Sequence, residues 1–167
     1  RCSVQNRWNT SDAARATSDR EMRAYSSKLI GADRQLVLHG GGNTSVKSTH
    51  VDHFGQEQAI IWVKASGFDL SSLGPEGFTA LDLPRLLKLA TLDELPDPDM
   101  VNEVLASRLD ASAAAASIEA IVHALIPFKY VDHSHADAIL TISNSPDGAK
   151  KFNEIFGERV LVLPYVK

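Results

Sequence analysis

The chain has very little cysteine, no long apolar run and no excess of positive charge. Its single cysteine, Cys2, excludes a disulfide within the chain and fits a reducing compartment. The longest apolar runs are short, such as residues 59–63, so we predict no membrane-spanning segment. The formal net charge of -4 and the lack of a basic stripe argue against a nucleic-acid partner or an anionic membrane surface.

Several common signatures are missing as well. The sequence has no Walker A loop, no G-x-G-x-x-G fingerprint, no nucleophile elbow and no Cys-x-x-Cys pair. We expect no secretory leader, because the start of the chain is polar and charged. None of these short motifs therefore predicts the chemistry of this chain.

The remaining composition is that of a globular domain. The 167 residues are 44% hydrophobic and 23% charged, which allows one substantial core but not two ordinary domains. Strand-like and helix-like segments alternate, so residues 1–167 are predicted to form a single layered α/β domain. The chain starts with Arg1 rather than Met, and residues 160–167 are typical of a strand, so we expect a fragment that is truncated at its C-terminal end.

Local patterns predict the individual elements. Apolar spacing indicates a helix over residues 11–29 with Gly31 as its C-cap. Residues 36–39 and 44–47 indicate strands of a hairpin or bulged bend, residues 49–58 a loop and residues 59–63 a buried strand. Further helices are predicted from an Asp82 cap to residue 89, from Pro98 to residue 109, from a Ser117 cap to residue 125, over residues 136–142 and over residues 149–156.

His133-Ser134-His135 is the most informative stretch. Side chains at positions i and i+2 of a strand point to the same face, so the two imidazoles would be neighbours. Two neutral imidazoles on one face can bind one divalent cation. A pair of surface histidines is the alternative.

Glu119 precedes this pair on a predicted helix that ends at Pro127 and leads into the histidine strand. A short connection can fold that helix back beside the strand, where the carboxylate could ligate a metal or act as a base. A solvated glutamate at the start of a helix is the alternative. His123 lies one turn later on the same helix face, and a core histidine is the favoured interpretation of it.

A glycine-rich turn precedes a run of small polar side chains. Residues 40–45 read Gly-Gly-Gly-Asn-Thr-Ser, and such a turn offers backbone N–H groups that can hold a phosphate or an oxyanion. A tight hairpin turn that requires positive φ is the alternative. Ser66 and Gly67 are a weaker turn of the same character, and Lys64 is either a counter-charge for an anion or a surface lysine.

Four motifs in order resemble the class II aldolase/adducin family. They are residues 41–47 (Gly-Gly-Asn-Thr-Ser-Val-Lys), 63–67 (Val-Lys-Ala-Ser-Gly), 117–119 (Ser-Ile-Glu) and 133–138 (His-Ser-His-Ala-Asp-Ala). The resemblance covers residues 22–164 and is greatest to the aldolase part of long bacterial proteins with a rhamnulose-1-phosphate aldolase-like domain followed by a short-chain alcohol dehydrogenase domain. It implies a three-layer α/β/α domain with a central, mainly antiparallel sheet flanked by helices.

The resemblance also implies roles for individual residues. His133 and His135 match zinc ligands, and Glu119 matches a glutamate that both ligates the metal and acts as acid and base. The residues that match the substrate-binding, phosphate-holding part of the family are Gly42, Asn43, Ser45, Ser66, Gly67 and Ser117. Ile118 stands where the family often has another serine. The family uses a third histidine, and no histidine follows His135, so we expect the third zinc ligand beyond Lys167.

The function implied is zinc-dependent cleavage of a ketose 1-phosphate into dihydroxyacetone phosphate and an aldehyde. The family further implies a cytoplasmic homo-oligomer, possibly a tetramer, with a sugar-phosphate substrate and no nucleic-acid or membrane partner. Two alternatives stay open: a pentose-phosphate 4-epimerase, which breaks and re-forms the same bond, and a non-catalytic assembly module of the adducin kind. The histidine pair and Glu119 favour an enzyme, because a scaffold has no need of them.

Overall fold

A four-stranded antiparallel sheet forms the centre of the molecule. The structure, a computed structural model, describes residues 5–164. The strands are β1 (Asn43–Val51), β2 (Glu57–Lys64), β3 (Phe78–Asp82) and β4 (Tyr130–His133), in the spatial order β3-β2-β1-β4. Strand β1 therefore pairs with β2 on one side and with β4 on the other, and both pairs are antiparallel.

Helices cover both faces of this sheet. The α-helices are α1 (Thr10–Ala13), α2 (Asp19–Gly31), α3 (Leu83–Leu89), α4 (Asp97–Ala106), α5 (Ala120–Leu125), α6 (Asp137–Ser143) and α7 (Gly148–Phe156). Among residues 5–164, no helix has the length and apolar character needed to cross a membrane.

Alternation along the strands creates two cores. Ile61 and Val63 of β2 face one way and pack with α3, α4 and α5, whereas Trp62 faces the other way and packs near α2. The first core consists of Ile61, Val63, Leu81, Leu86, Val104, Ala116, Ala120 and Ala124. The second consists of Ala24, Val37, Leu70, Leu73 and Phe78. The predicted α/β class, with an antiparallel sheet between helical layers, is confirmed.

The predicted helix over residues 11–29 is two helices. Ser18 accepts a hydrogen bond from the backbone N–H of Glu21, and the Glu21 carboxylate accepts from the backbone N–H of Thr17. This pair resembles a capping box, except that Glu21 reaches back to the residue before the N-cap, and a new helix starts at Asp19. The apolar spacing ran across this boundary, so the single-helix prediction was wrong.

The predicted strand over residues 36–39 is a loop. Its Leu36 carbonyl accepts a hydrogen bond from the His135 N–H, and its Val37 N–H donates to the Asp33 carbonyl. The backbone then turns through positive φ at His39, Gly40 and Gly42, which an extended strand does not adopt. The hairpin prediction for this segment was therefore wrong, while the glycine turn itself is present.

The predicted loop over residues 49–58 is mostly strand. β1 continues to Val51 and β2 begins at Glu57, so only a five-residue tip separates them. The carboxylate of Asp52 accepts backbone N–H bonds from Phe54 and Gln56 and closes this tip. Polar composition was misleading here, because the ends of both strands are exposed.

The sequence patterns missed β3 and placed most helices within a few residues. Asp82 caps α3 as predicted, since its carboxylate accepts from the Arg85 N–H at 3.0 Å. The N-cap of α5 is Glu119 rather than the predicted Ser117. Residues 160–164 of the predicted C-terminal strand are not in a strand, and residues 165–167 lie outside the described residues.

Candidate functional site

The site forms where β1, β4 and the start of α5 meet. Asn43 of β1 is the register partner of His133 at the end of β4. Paired residues in a sheet point to the same face, so both side chains lie on the side that α5 covers. The sheet thus brings together two motifs that are far apart in the sequence.

Glu119 joins these two residues. Its Oε1 lies 2.8 Å from Nδ1 of His133, and its Oε2 accepts hydrogen bonds from Nδ2 of Asn43 at 3.1 Å and from Oγ of Ser117 at 3.2 Å. The carboxylate is 38% exposed, so it is held firmly while one side stays open to solvent. Asn43, Ser117 and His133, which were all identified from the sequence, therefore contact Glu119, which was identified in the same way.

These contacts keep the carboxylate ionised. Burial of Glu119 raises its pKa, but the charge of His133 and the hydrogen bonds from Asn43, His133 and Ser117 outweigh burial, so the pKa lies below its ordinary value. At neutral pH Glu119 is consequently an anion that can accept a proton.

His135 lies next to His133, although not for the predicted reason. Strand β4 ends at His133, so the alternation of a strand does not extend to His135. Its N–H donates to the Leu36 carbonyl, and the two ring centroids are 4.7 Å apart in an edge-to-face arrangement. A Cβ on Gly41 would lie 3.0 Å from Nδ1 of His135, so the glycine turn contacts this ring closely.

The donor set suits a divalent metal but is incomplete in the part of the chain that the structure describes. Two adjacent imidazoles with a carboxylate beside them are the ligand types that zinc prefers. Across residues 5–164, however, no group of three His, Cys, Asp or Glu side chains is arranged to hold a metal ion. His133 and His135 can supply two ligands, and Glu119 contacts His133 instead of completing a three-ligand group.

Asn43 carries an unsatisfied acceptor. The residue is 1% exposed, and its Oδ1 has no hydrogen-bond partner in the structure. A buried amide oxygen without a partner is costly, so this acceptor is available to a bound group or a water molecule. Its Nδ2 bond to Glu119 fixes which way the amide points.

The second turn approaches the same region from β2. The backbone N–H of Ser66 donates to the Ala115 carbonyl, and Ala65 forms an isolated antiparallel β-bridge with Ala116. The turn at residues 66–67 therefore lies beside the segment that carries Ser117. Gly67 adopts a φ of +85°, and both turn residues are exposed. Ser66 and Gly67 are thus near Ser117 in the fold, without a direct contact to Glu119.

Lys64 is not a surface lysine. It is 4% exposed, and its Nζ donates to the carbonyls of Phe68 at 2.7 Å and Ala65 at 3.3 Å. Burial lowers the pKa of this ammonium group, while the charges of Glu119 and Asp69 act in the opposite direction. The Glu119 carboxylate therefore lies close enough to this buried ammonium group to influence its pKa.

Ser45 lies behind the site rather than at its opening. The residue is fully buried, and its Oγ is 2.8 Å from Nδ1 of His123. His123 is 3% exposed, and burial lowers its pKa to about 4. The interpretation of His123 as a core histidine is confirmed, and the hydroxyl of Ser45 is engaged with it.

An open cavity lies beside the carboxylate. It has a volume of about 470 Å³ between α5 and β4, and its lining includes Glu119, His123, Val131 and His133. One wall is therefore polar and carries the candidate reactive groups.

Comparison with known proteins adds a family to this geometry. Residues 21–167 match the family described as class II aldolase and adducin N-terminal domain. The solved N-terminal class II aldolase domain of a conserved protein from Thermoplasma acidophilum is 41% identical, with a TM-score of 0.87 over 97% of this chain and 74% of that one.

A curated relative from Bacillus subtilis (strain 168), named as an uncharacterized oxidoreductase, is 38% identical over 164 residues. That match covers 98% of this chain but only 24% of the relative, so the chain spans about a quarter of that protein's length. The family match extends over most of the sequence, and the structural match extends over nearly all of it. The chain belongs to the class II aldolase and adducin family.

Proposed function

We propose that this chain is the catalytic part of a zinc-dependent aldolase that cleaves a ketose 1-phosphate, such as rhamnulose 1-phosphate, into dihydroxyacetone phosphate and an aldehyde. The observation that carries the proposal is the position of the Glu119 carboxylate between His133 and Asn43, 2.8 Å and 3.1 Å away. An ionised acid beside an imidazole pair suits proton transfer near a metal.

His133 and His135 would hold the metal, with a third histidine supplied from outside the described residues. When bound, zinc would act as a Lewis acid that stabilises negative charge on substrate oxygens as the carbon–carbon bond breaks. The T-shaped packing of the two rings and the backbone bond from His135 to Leu36 keep both imidazoles near one point.

Glu119 would move the proton on or off the reacting carbon. Its lowered pKa leaves it ionised at neutral pH, so it starts the cycle as a base. Asn43 and Ser117 donate hydrogen bonds to Oε2 of this carboxylate. Its other oxygen, Oε1, contacts only the ring of His133 among these residues.

The substrate phosphate would lie between the two turns. Gly42 and Asn43 form one side, and Ser66, Gly67 and Ser117 form the other. Backbone N–H groups in such turns suit an anion, and the buried ammonium of Lys64 adds positive charge from β2. Binding energy from the phosphate would position the reacting carbons at a distance from it. Ser45 would support this pocket through His123 rather than touch the phosphate.

The longer protein that contains this domain would be a cytoplasmic homo-oligomer. The oxidoreductase name of the Bacillus subtilis relative applies to a protein about four times as long as the matched part. We assign any redox activity to the part of such proteins that lies outside this domain, because no dinucleotide fingerprint occurs in these 167 residues.

Product analysis of the full-length, zinc-loaded protein tests the proposal. Rhamnulose 1-phosphate, fuculose 1-phosphate and ribulose 5-phosphate are incubated in parallel, and dihydroxyacetone phosphate and epimers are measured. We expect dihydroxyacetone phosphate from a ketose 1-phosphate, its loss on chelation and its return with zinc. Epimer formation from ribulose 5-phosphate without cleavage would replace the proposal with the epimerase. A metal-free protein without turnover would replace it with the assembly module.

A further inference from the structure

Three polar side chains lie at alternate positions of β1 and all point toward α5. They are Asn43, Ser45 and Lys47, and side chains two residues apart on a strand share a face. Each one makes a hydrogen bond to α5 or to the residues that flank it. We call this set of contacts the β1–α5 ladder.

The ladder runs along the whole of the helix. Asn43 contacts Glu119 at the N-cap, and Ser45 contacts His123 one turn later. The Nζ of Lys47 donates to the carbonyls of His123 at 2.9 Å, Ile126 at 2.6 Å and Phe128 at 2.9 Å. These carbonyls lie at and beyond the C-terminal end of α5, where a cation is favoured by the helix dipole.

The spacing of the two elements explains why the contacts match. Two residues of a strand advance about 6.6 Å, and four residues of an α-helix advance about 6.0 Å. Positions 43, 45 and 47 therefore stay in step with 119, 123 and the end of the helix. The Asn-x-Ser-x-Lys pattern of this strand therefore places one polar contact at the start, one in the middle and one at the end of α5.

Helix α5 depends on contacts with the rest of the protein for its stability and position. It has only six residues, Ala120–Leu125, and a helix of this length is not stable by itself. Its apolar contact with the core is made by Ala120 and Ala124, which have small side chains, and by the partly buried Ile121. The polar contacts to β1 add directional bonds at both ends and in the middle of this short helix.

We propose that Lys47 is a positioning residue: by holding the C-terminal carbonyls of α5, it sets the axial position of that helix and so places the Glu119 carboxylate against His133 at the opposite end. The ammonium group is partly buried and saturated with three acceptors, and burial lowers its pKa, as expected for a group held inside the structure rather than in water. Its effect on turnover, but not on geometry, rests on the function proposed above.

Two variants of the full-length, zinc-loaded protein test this role. Lys47→Met removes the ammonium and keeps the stem, whereas Lys47→Arg keeps the charge and several donors. Lys129→Met is the matched control, because Lys129 pairs with Asp19, away from α5. Crystal structures and kinetics are compared for all three.

We expect Lys47→Met to move Oε1 of Glu119 away from Nδ1 of His133 by roughly 1 Å, and to lower kcat by roughly 10–100-fold with little change in KM or zinc content. Lys47→Arg should restore most of both, and Lys129→Met should behave as the wild type. An unchanged Glu119–His133 distance in Lys47→Met overturns the proposal, whether or not any sugar phosphate is cleaved.

Two further outcomes are also decisive. A Lys47→Met protein with the displaced carboxylate, when no sugar phosphate is turned over even by the wild type, upholds the positioning role and rejects the aldolase. If Lys47→Met does not fold, Lys47→Gln is used instead, because it also removes the ammonium group but keeps a polar side chain. A wild-type position of Glu119 in that variant overturns the proposal.

Discussion

The ring of His123 has a pKa well below that of the free amino acid. Burial lowers its pKa from 6.5 to about 4, and its Nδ1 is bonded to Ser45. Between these two pH values His123 is protonated in the unfolded chain and neutral in the folded chain. Stability contributed by the neutral ring is therefore complete above pH 6.5 and is lost as the pH falls toward 4.

Replacing this ring should flatten the acid side of the stability profile. His123→Gln keeps a hydrogen-bonding side chain without a titrating group. We expect the free energy of unfolding of the wild type to fall with decreasing pH by up to about 1.4 kcal/mol per pH unit more steeply than that of His123→Gln within this window.

Urea unfolding at several pH values between these limits measures the difference. His50→Gln is the control, because His50 is an exposed histidine at the far end of β1. It should leave the slope unchanged. Identical slopes for the wild type and His123→Gln would show that the buried ring does not resist protonation.

At the residue scale the sequence predicted which side chains lie near one another more often than which atoms are in contact. Glu119 was expected near the histidines because its helix leads into β4, and that connection is local. The amide of Asn43 on Glu119 and the hydroxyl of Ser45 on His123 join residues more than seventy positions apart. Only the pairing of β1 with β4 and its packing on α5 create them.

At the scale of elements, the glycine loop before β1 combines positive φ with a close approach to β4. Gly40 and Gly42 both have a φ of +74°, which side chains rarely adopt. A Cβ on Gly40 would meet nothing within 4 Å, whereas a Cβ on Gly42 would lie 2.7 Å from the His133 carbonyl and 2.8 Å from Cγ1 of Val37. A side chain would therefore strain the backbone equally at both positions, but only at Gly42 would it also collide with neighbouring atoms.

This difference gives a matched pair of substitutions. Gly40→Ala should cost about 1 kcal/mol of stability from backbone strain alone. Gly42→Ala should cost about 2–4 kcal/mol, because the added methyl also collides with β4. It should weaken zinc binding as well, since His133 belongs to the strand that must move.

Urea unfolding and zinc titration of both variants check this prediction. Equal losses of stability in Gly40→Ala and Gly42→Ala would show that the turn does not press against β4. Unchanged zinc affinity in Gly42→Ala would separate the turn from the metal ligands.

The elements that were predicted well have local causes. Asp82 caps α3 through a residue three positions later, and this signal is contained within one turn. The capping pattern at Ser18 is equally local, but the apolar pattern across it was given more weight. Residues 36–39 failed for another reason: their β-like composition is overridden by the bond to His135 and by the positive φ values that follow.

At the scale of the whole molecule, the central position of β1 gathers the site. Strand β1 lies between β2 and β4, so the glycine turn, the Ser66 turn and the histidine pair all reach one end of the sheet. The order of four motifs predicted the family and the fold class. The lack of a histidine after His135 also predicted that this chain offers only two imidazoles here. The sequence did not predict that, within residues 5–164, Glu119 contacts one of those rings instead of forming a three-residue group with both.

The central claim is that Glu119 transfers the proton while the histidines hold the metal. Removing its charge without changing its shape separates these roles, because Gln keeps hydrogen bonding but cannot act as a base at neutral pH. The substitution leaves both proposed metal ligands, His133 and His135, in the chain.

The most direct measurement is the steady-state cleavage of a ketose 1-phosphate by full-length Glu119→Gln, with the zinc content of the same sample determined in parallel. The account predicts zinc content close to that of the wild type and a kcat reduced by roughly 10²–10⁴-fold. Near-normal cleavage by Glu119→Gln would contradict it.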